Sequence, residues 1–273
     1  MRVFIVIPVF GNVNLTENFI NSIELTGKER VILIDDNPLR LHAYFIHRQG
    51  IEVVNGNGTN FWGGSVNLGL DYISHKYKPE AHDMIILANN DVTCNFNLEE
   101  VYSMRLDIRN SVFHPQVKDI SGRYVKSCGR IRQWFPFIVE YPLADSSNYS
   151  CIDTLTGRFL IVSWENITSV GGISKNLPHY GGDSDLGLKF RKIGVQSYLI
   201  NTIDCCVNMA QTGVHASMHL GNLYNLLFNI KSSYCLKYRW RFVRNHKSFV
   251  YSILIMLSIY IKLLIAMIIF SKE

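Results

Sequence analysis

Short apolar runs alternate with stretches of helical periodicity through most of the chain, and this alternation limits the possible fold more than any other feature. Runs with the length and composition of buried strands lie at residues 2–10, 30–36, 51–56, 84–88 and 157–164. Apolar side chains at helical spacing follow several of them, as in Val66, Leu70 and Ile73. The alternation predicts an α/β fold with a mostly parallel sheet and helices on both faces.

Several of the predicted strands end in polar residues rather than in a simple turn. The apolar runs at 30–36, 51–56 and 84–88 lead, respectively, into the groups Asp35-Asp36, Asn57-Gly58 and Asn89-Asn90-Asp91. Ligands of open α/β sheets bind in the crevice outside the carboxyl ends of the strands. These polar groups are therefore the first candidates for a functional site.

The formal net charge of +5 is concentrated near the C-terminus. Eight of the 27 basic residues and one of the 22 acidic residues lie beyond residue 230. Residues 1–230 therefore carry 19 basic and 21 acidic side chains, which gives them a net charge of −2. Six of the eight fall within residues 231–247, where there is no acid. Nucleic-acid binding by the main domain is not indicated.

Residues 249–270 form a 22-residue apolar run whose only charge is Lys262. Its Phe, Val, Ile and Leu residues contribute about −4 to −8 kcal/mol to the free energy of membrane insertion, and the central lysine opposes insertion by about 2.5 to 3.5 kcal/mol. The run therefore predicts a membrane-spanning helix, and the preceding basic cluster puts the main domain in the cytoplasm, at the inner (cytoplasmic) membrane. A helix that lies in the interface or docks on a partner subunit is the alternative.

The six cysteines show no C-x-x-C pair and no His/Cys ligand spacing. This usage favours a reduced, cytosolic environment. The adjacent Cys205 and Cys206 fit a half-buried strand better than a redox site.

The glycine-rich stretch at 55–69 does not match a dinucleotide fingerprint, because Phe61 stands where that motif needs glycine and the stretch follows the third strand rather than the first. It is either a tight turn with positive φ or a turn that brings backbone close to a nucleotide. The turn offers no P-loop lysine, so a divalent cation on Asp91 would be the available counter-charge for a diphosphate. Asp91 could instead be a cap or turn residue.

A second acidic pair, Asp183 and Asp185, opens a predicted helix with Leu186, Phe190 and Ile193 on its apolar face. Acids favour the first turn of a helix, so capping alone could explain the pair. A general base at the same position is equally compatible with the spacing.

Taken together, five stretches in order resemble the family 2 glycosyltransferases, which have the GT-A fold. They are "VIPVFGN", "ILIDDN", "NGNGTNFWGGSVNLGL", "ILANNDV" and "DTLTGRFLIVSWENITSVGGISKNLPHYGGDSDLGLKFRKIG". The resemblance covers about residues 1–215 and implies a catalytic domain there. A basic juxtamembrane linker would follow at 216–246, and a transmembrane or membrane-embedded helix at 247–270.

The resemblance implies a role for each matching residue. Asp183 would be the catalytic base, and Asp91 would bind Mg²⁺ or Mn²⁺, with His215 as a second metal or diphosphate contact for which His219 competes. Four parts of the chain are implied in binding the nucleotide. Pro8 and Phe10 would flank the base, and Asp36 would contact its ring. Gly58 and Gly64 would bring the glycine turn close to the nucleotide, with Asn67 as the polar contact of that turn, and Asn90 would face the ribose or diphosphate.

The sequence departs from the family pattern at two site positions. The metal motif is Asn-Asn-Asp instead of acid-x-acid, and Gly182 replaces the usual glutamate before the base. Both changes leave Asp91 and Asp183 in place, and they bear on metal affinity and acceptor type.

The resemblance thus predicts an inverting glycosyltransferase that moves a sugar from a nucleotide-diphosphate donor to a lipid-linked oligosaccharide acceptor in O-antigen, lipopolysaccharide or capsule synthesis. One alternative is a nucleotidyltransferase, which would normally carry a basic glycine-rich loop after the first strand, whereas "PVFGNVN" has no basic residue. The other is a catalytically silent sugar-nucleotide-binding partner of a membrane complex, from which loss of Asp183 would be expected.

Overall fold

A computed structural model describes residues 1–97, 101–102, 107–143, 149–207 and 220–270. Its main feature is a ten-stranded sheet, with a separate two-stranded hairpin. The strands are β1 Val3–Val9, β2 Ile23–Glu24, β3 Arg30–Asp35, β4 Ile51–Asn55, β5 Met84–Ala88, β6 Val92–Asn97, β7 Ser111–Asp119, β8 Arg130–Gln133, β9 Ile138–Glu140, β10 Ser150–Ile152, β11 Phe159–Ser163 and β12 Gln196–Val207. The α-helices are α1 Val13–Ser22, α2 Phe61–Tyr77, α3 Trp164–Ser169, α4 Gly182–Lys192, α5 Leu223–Phe228, α6 Leu236–His246 and α7 Phe249–Phe270, with 3₁₀ turns at Ala43–His47 and Leu220–Asn222.

The strand order is β2-β6-β12-β7-β11-β5-β1-β3-β4, and β10 pairs with β12. Strands β5, β1, β3 and β4 are parallel neighbours, and β11 then runs antiparallel to β5. Two clusters of buried apolar side chains cover the two faces of the sheet. The predicted α/β architecture with a mostly parallel central sheet is therefore confirmed.

Helix α2 lies close against the parallel strands because glycine faces them. A Cβ atom on Gly69 would come within 2.6 Å of Val6 on β1 and 3.3 Å of Ile34 on β3. The close approach brings the N-terminal end of α2 to the carboxyl ends of these strands, where the candidate site lies.

The half of the sheet beyond β5 includes part of the stretch 110–150, whose sequence shows no clear periodicity. Strand β7 lies there as an inner strand between β11 and β12, and seven of its nine residues are buried. Full burial on both faces removes the alternation of polar and apolar residues by which a strand is usually detected. Strands β8 and β9 form the hairpin of this region.

Two cysteines far apart in sequence meet in the sheet. Cys94 on β6 pairs with Cys205 on β12 in the antiparallel register, and the two form a disulfide. Strand pairing places these two thiols side by side, whereas their spacing in the sequence gave no sign of it. Cys205 is buried and Cys206 half-buried, as expected for adjacent strand residues.

The C-terminal residues form helices that pack on the main domain. In α6, Tyr238 and Phe242 contact an apolar cluster that includes Leu177 and Leu188. Among the described residues, one helix, at Phe249–Ile269, is long and apolar enough by length and composition to cross a membrane.

Candidate active site

The site lies at the carboxyl ends of β1, β3 and β5, as expected for a sheet of this kind. Val9 at the end of β1 accepts a backbone hydrogen bond from Asp36 (2.9 Å), which directly follows β3. Pro8 is half-buried in β1, and Phe10 is 59% exposed just beyond it. Phe10 also accepts a hydrogen bond from the Asn37 side chain through its carbonyl oxygen. The structure thus brings Pro8, Phe10 and Asp36 together at one edge.

The Asp36 carboxylate holds the glycine turn in place. It accepts hydrogen bonds from the backbone N–H groups of Gly58 (2.9 Å), Asn60 (2.9 Å) and Phe61 (3.1 Å). Gly58 has a φ of +85°, which glycine adopts without the steric cost of a side chain. The carboxylate therefore caps the start of α2, and its predicted contact with a nucleotide base stays a prediction.

Two further residues of the glycine turn, Gly64 and Asn67, lie within α2 itself. Asn67 donates from Nδ2 to the carbonyl oxygen of Ile173 (2.8 Å) and accepts at Oδ1 from the N–H of the same residue (2.9 Å). Both polar ends are therefore occupied by one backbone unit. Asn67 thereby fastens α2 to the segment before α4, and its predicted contact with the nucleotide stays a prediction.

A buried chain of hydrogen bonds positions Asn90, and the sequence analysis did not find it. Asn90 donates from Nδ2 to Thr16 Oγ1 (2.9 Å), and Thr16 Oγ1 lies 3.0 Å from His42 Nε2. His42 Nδ1 lies 3.4 Å from Asp35 Oδ1. Since Thr16 accepts from Asn90, its proton is free for Nε2. Nδ1 faces Asp35 but has no hydrogen-bond partner among the described residues. Burial lowers the pKa of His42 although Asp35 opposes the shift, and this direction favours the neutral ring.

Replacing Thr16 by valine should break this chain and lower the free energy of unfolding by about 1–3 kcal/mol, because the buried ring nitrogen of His42 loses its partner. Donor binding should weaken as well, since Asn90 loses its anchor. Thr168→Val, an exposed position on α3, is the matched control. Urea denaturation with nucleotide-sugar titration measures both effects, and an unchanged Thr16→Val protein would contradict the role given to the chain.

Asp91 carries an oxygen that the protein leaves open. Its Oδ1 atom is buried and has no hydrogen-bond partner among the described residues. Burial raises the pKa of the carboxyl group, and the charge of Arg158 partly offsets this. A carboxylate oxygen without a protein partner suits Mg²⁺ or Mn²⁺, which is often bound by one or two carboxylates together with substrate phosphates.

Over the ranges that the structure describes, no group of three His, Cys, Asp or Glu side chains could hold a metal. His215, the predicted second contact, lies outside the described residues, as does His219. Among the described residues, Asp91 is the side chain that would hold a cation here, together with the ligand's own phosphates.

Asp183 is the second residue of helix α4, after Gly182, and the residue before the helix is Gly181. Its carboxylate accepts hydrogen bonds from the N–H groups of Gly157 (3.2 Å) and Ser184 (2.8 Å). Burial raises the pKa of Asp183 despite these hydrogen bonds and the charge of Arg158. A raised pKa suits a carboxylate that must take up a proton during a reaction.

Residues 157 and 158 join the two halves of the site. Gly157 donates to Asp183, and the carbonyl oxygen of Arg158 accepts from the N–H of Asn89 (3.1 Å), two residues before Asp91. The Arg158 charge lowers the pKa of both carboxyl groups. Asp91 and Asp183, 92 positions apart in sequence, therefore lie close to the same arginine. The sequence analysis did not identify Arg158, which directly precedes β11 without any motif of its own.

Trp62 packs directly on this junction. A Cβ atom on Gly157 would come within 2.4 Å of the Trp62 ring, so only glycine fits there. The Trp62 indole Nε1 is buried and has no hydrogen-bond partner in the described part of the chain. It is thus a second polar atom, besides Asp91 Oδ1, that remains available to a ligand.

A cavity of about 260 Å³ opens beside Asp183. Aromatic side chains from the β8–β9 region, α6 and the segment before α4 line it, among them Phe137, Tyr141, Tyr180, Tyr238 and Phe242. Polar side chains such as Thr156, Ser184 and Arg239 form much of the remaining wall, so the cavity offers both aromatic faces and hydrogen-bonding groups to a small organic ligand.

Asp185, two residues further into α4, is fully buried and links this helix to the C-terminal helices. It accepts hydrogen bonds from Ser174 Oγ (2.5 Å), Asn245 Nδ2 (2.8 Å) and His246 Nε2 (2.8 Å). Burial alone would raise its pKa, but the hydrogen bonds from these partners outweigh burial and leave the pKa below its ordinary value. The catalytic end of the sheet and α6 thus form one packed unit.

Comparison with known proteins finds a relative of described function. No family model matches the sequence. The chain is 23% identical over 215 residues to the rhamnosyltransferase WbbL of Escherichia coli K12, an alignment that covers 72% of this chain and 80% of the relative.

Solved structures show the same architecture. GalNAc-T7, crystallised with UDP, GalNAc and Mn²⁺, aligns with a TM-score of 0.58 and 12% identity over 76% of this chain and 43% of its own. A structure of TarS residues 1–349 from S. aureus aligns with a TM-score of 0.54 and 12% identity over 76% of this chain and 60% of its own. Another structure of S. aureus TarS aligns with a TM-score of 0.56 and 14% identity over 91% of this chain and 44% of its own. The chain thus spans less than two thirds of the length of these proteins. It has the GT-A fold that they share.

Proposed function

We propose that this chain, whose fold and relatives support its place among the family 2 glycosyltransferases, transfers a sugar from a nucleotide-diphosphate donor to a saccharide acceptor. The observation that carries the proposal is the junction at residues 157 and 158, at the carboxyl edge of the sheet. There the Gly157 N–H donates to Asp183, and the Arg158 carbonyl oxygen accepts from Asn89, two residues before Asp91. Polysaccharide synthesis in bacteria is the setting favoured by the rhamnosyltransferase relative.

The proposed reaction inverts the configuration at the anomeric carbon. Asp183 takes the proton of an acceptor hydroxyl as that oxygen forms a bond to the anomeric carbon. The bond from this carbon to the diphosphate oxygen breaks on the opposite face, and the nucleoside diphosphate leaves with the electron pair. General-base assistance of this kind contributes about 10²- to 10⁴-fold to the rate.

Arg158 and Asp91 are proposed to act on the donor side. The Arg158 guanidinium would stabilise the negative charge that develops on the diphosphate, and electrostatic stabilisation of this kind often contributes more to the rate than any other effect. A divalent cation, when bound, would neutralise the same charge, with Asp91 as the residue that holds it and Asn90 facing the ribose or diphosphate. The usual acid-x-acid motif has two acids, whereas this site has one, Asp91. The positive charge of Arg158 beside the diphosphate supports the proposal that one acid is enough.

The acceptor is proposed to enter the cavity beside Asp183. Aromatic side chains such as Tyr180 and Tyr238 offer flat apolar faces to a sugar ring, and the cavity reaches α6, which precedes the apolar helix α7. This continuity supports a lipid-linked oligosaccharide, as in O-antigen, lipopolysaccharide or capsule synthesis. The catalytic domain would then face the cytoplasm at the inner membrane.

A thermal-shift panel of UDP-, GDP- and dTDP-sugars, with and without Mn²⁺, tests the donor class. One nucleotide sugar should raise the Tm of the protein by several degrees in Mn²⁺, since a ligand at about 100 times its Kd adds about 2.7 kcal/mol of stability. Donor hydrolysis or transfer to membrane lipid extracts then tests catalysis. Failure of every nucleotide sugar to shift the Tm would contradict the proposal.

Asp91→Asn, which keeps the side chain's shape and removes its charge, should lose the Mn²⁺-dependent part of this Tm increase. The reason is that a neutral amide oxygen is a weak ligand for a divalent cation compared with a carboxylate. Asp71→Asn on the exposed face of α2 is the control and should behave as the wild type. An equal Mn²⁺ effect in both variants would reject Asp91 as the cation ligand.

A further inference from the structure

Helix α7 has one face that packs on the protein along its whole length. Ser252, Ile255, Leu263 and Met267 are buried in one stripe at helical spacing. From the first to the last of these residues the helix advances about 22 Å, at 1.5 Å per residue. The helix therefore stays on the surface of the domain instead of leaving it.

The opposite face of α7 is apolar and exposed. Its residues recur at intervals of three and four along the helix: Val250, Leu254, Leu257, Ile261, Leu264 and Ile268. An apolar groove of about 390 Å³ continues this face between α5, α6 and α7, lined by residues such as Leu227, Trp240 and Leu264. Exposed apolar surface of this extent marks an interaction site.

Polar contacts fix the middle of α7 to the domain. The N–H of Phe137 donates to Ser258 Oγ (3.2 Å), and Lys262 Nζ donates to the carbonyl oxygen of Phe137 (2.9 Å). The Tyr260 hydroxyl donates to the carbonyl oxygen of Tyr234 (2.7 Å). The hairpin loop and the segment before α6 are thus attached to the helix well past its first turns.

These contacts are incompatible with a helix that crosses a bilayer. Lys262 lies about 20 Å along the helix from Phe249, well inside a hydrocarbon core of about 30 Å. Phe137 would be drawn in with it, and with Phe137 the charged hairpin residues Arg130, Arg132 and Glu140. Charged side chains at that depth are costly, so the docked helix is stable only outside the centre of the bilayer.

The neighbouring helix α6 carries positive charge beside the apolar face. Lys237, Arg241 and Arg244 recur at i, i+4 and i+7, so they lie on one side of the helix. Lys237 and Arg244 are exposed, whereas Arg241 is half-buried and donates to the carbonyl oxygen of Asn176 (2.9 Å). Trp240, between them and the groove, packs edge-on against Phe249. A basic stripe next to an apolar and aromatic face is the signature of a helix that lies in the headgroup region of anionic lipid.

We infer that α5, α6 and α7 form a surface that binds an anionic phospholipid bilayer in its plane, with α7 lying flat in the interface and not crossing the membrane. The inference deepens the membrane attachment proposed above and does not depend on sugar transfer. Acyl chains would cover the exposed face of α7 and the apolar groove, and lipid phosphates would meet the basic stripe of α6.

Vesicle flotation of the full chain tests the lipid partner. Binding to phosphatidylcholine vesicles that contain phosphatidylglycerol should exceed binding to pure phosphatidylcholine and should weaken as salt is raised. Each basic residue near an anionic surface strengthens binding roughly five-fold, so Lys237→Gln with Arg244→Gln should weaken it about 25-fold. The exposed pair Lys28→Gln with Lys78→Gln is the control and should leave binding unchanged.

Epitope tags at the two ends of the full chain test the orientation of α7. Protease added to inside-out membrane vesicles should remove both tags, because a helix in the plane keeps both ends on one side. Protection of the C-terminal tag alone would overturn the inference, as would equal binding to neutral and anionic vesicles or equal losses in the two double variants.

Neither assay needs a donor or an acceptor. A negative result therefore leaves the proposed sugar transfer standing, and a failure to find transfer leaves the membrane surface standing. Circular dichroism of each variant shows whether the fold is retained, so that a loss of binding can be assigned to charge.

Discussion

Asp183→Asn is expected to slow sugar transfer by about 10²- to 10⁴-fold while nucleotide-sugar binding is unchanged. The amide keeps the size of the carboxylate but cannot take the proton of the acceptor hydroxyl. Steady-state transfer assays measure the loss of rate, and the Tm increase with donor measures binding. Asp71→Asn is again the matched control, and wild-type transfer by Asp183→Asn would reject the assignment of the base.

The pH dependence of transfer should carry the same signature. Burial raises the pKa of Asp183, and the base works only when it is deprotonated. The rate should therefore fall on the acid side at a pH above the ordinary range of an aspartate. Asp183→Asn should lose this acid limb from its residual activity, whereas the control variant should keep it.

Arg158→Ala is expected to lower kcat by about 10²- to 10³-fold, the usual loss when one group that stabilises developing negative charge is removed. Arg158→Lys should recover part of the rate, since it restores the charge without the planar fork. Measuring kcat and KM separately decides the role, because an arginine that only bound the donor would change KM more than kcat.

The same variant gives a second readout that a purely structural role would not move. The Arg158 charge lowers the pKa of Asp183, so its removal should shift the acid limb of the rate profile to higher pH. Lys189→Ala, a half-buried cation on the helix of the base, is the comparison for loss of a positive charge. An unchanged acid limb in Arg158→Ala would contradict the placement of this charge beside the two carboxylates.

The parallel half of the fold could be predicted because each strand has its signal within a few residues. Apolar runs bounded by turn residues located β1, β3, β4 and β5, and the polar groups at their ends located the site. Strand β7 was not predicted because a strand buried on both faces shows no alternation of polar and apolar residues. The pairing of Cys94 with Cys205 was not predicted either, because the register between two strands brings these residues together and their spacing in the sequence does not indicate it.

The roles of single side chains were harder to predict than their positions. Asp36 and Asn67 lie where the sequence analysis expected them, but backbone groups of other segments occupy their polar atoms. The chain from Asn90 to Asp35 passes through Thr16 and His42, which belong to no motif. Contacts between segments distant in sequence decide such roles, and a single sequence does not record them.

The three hydrogen bonds that Asp185 receives have a consequence for how this protein could be divided. A chain cut before Asn245 would leave a buried carboxylate facing empty space, and an unpaired buried charge is strongly destabilising. The unit that folds independently therefore extends to His246 and includes α6. Exchange of the C-terminal helices between relatives should succeed only when the hydrogen-bond partners of this aspartate are exchanged with them, because α4 and α6 share one buried charge.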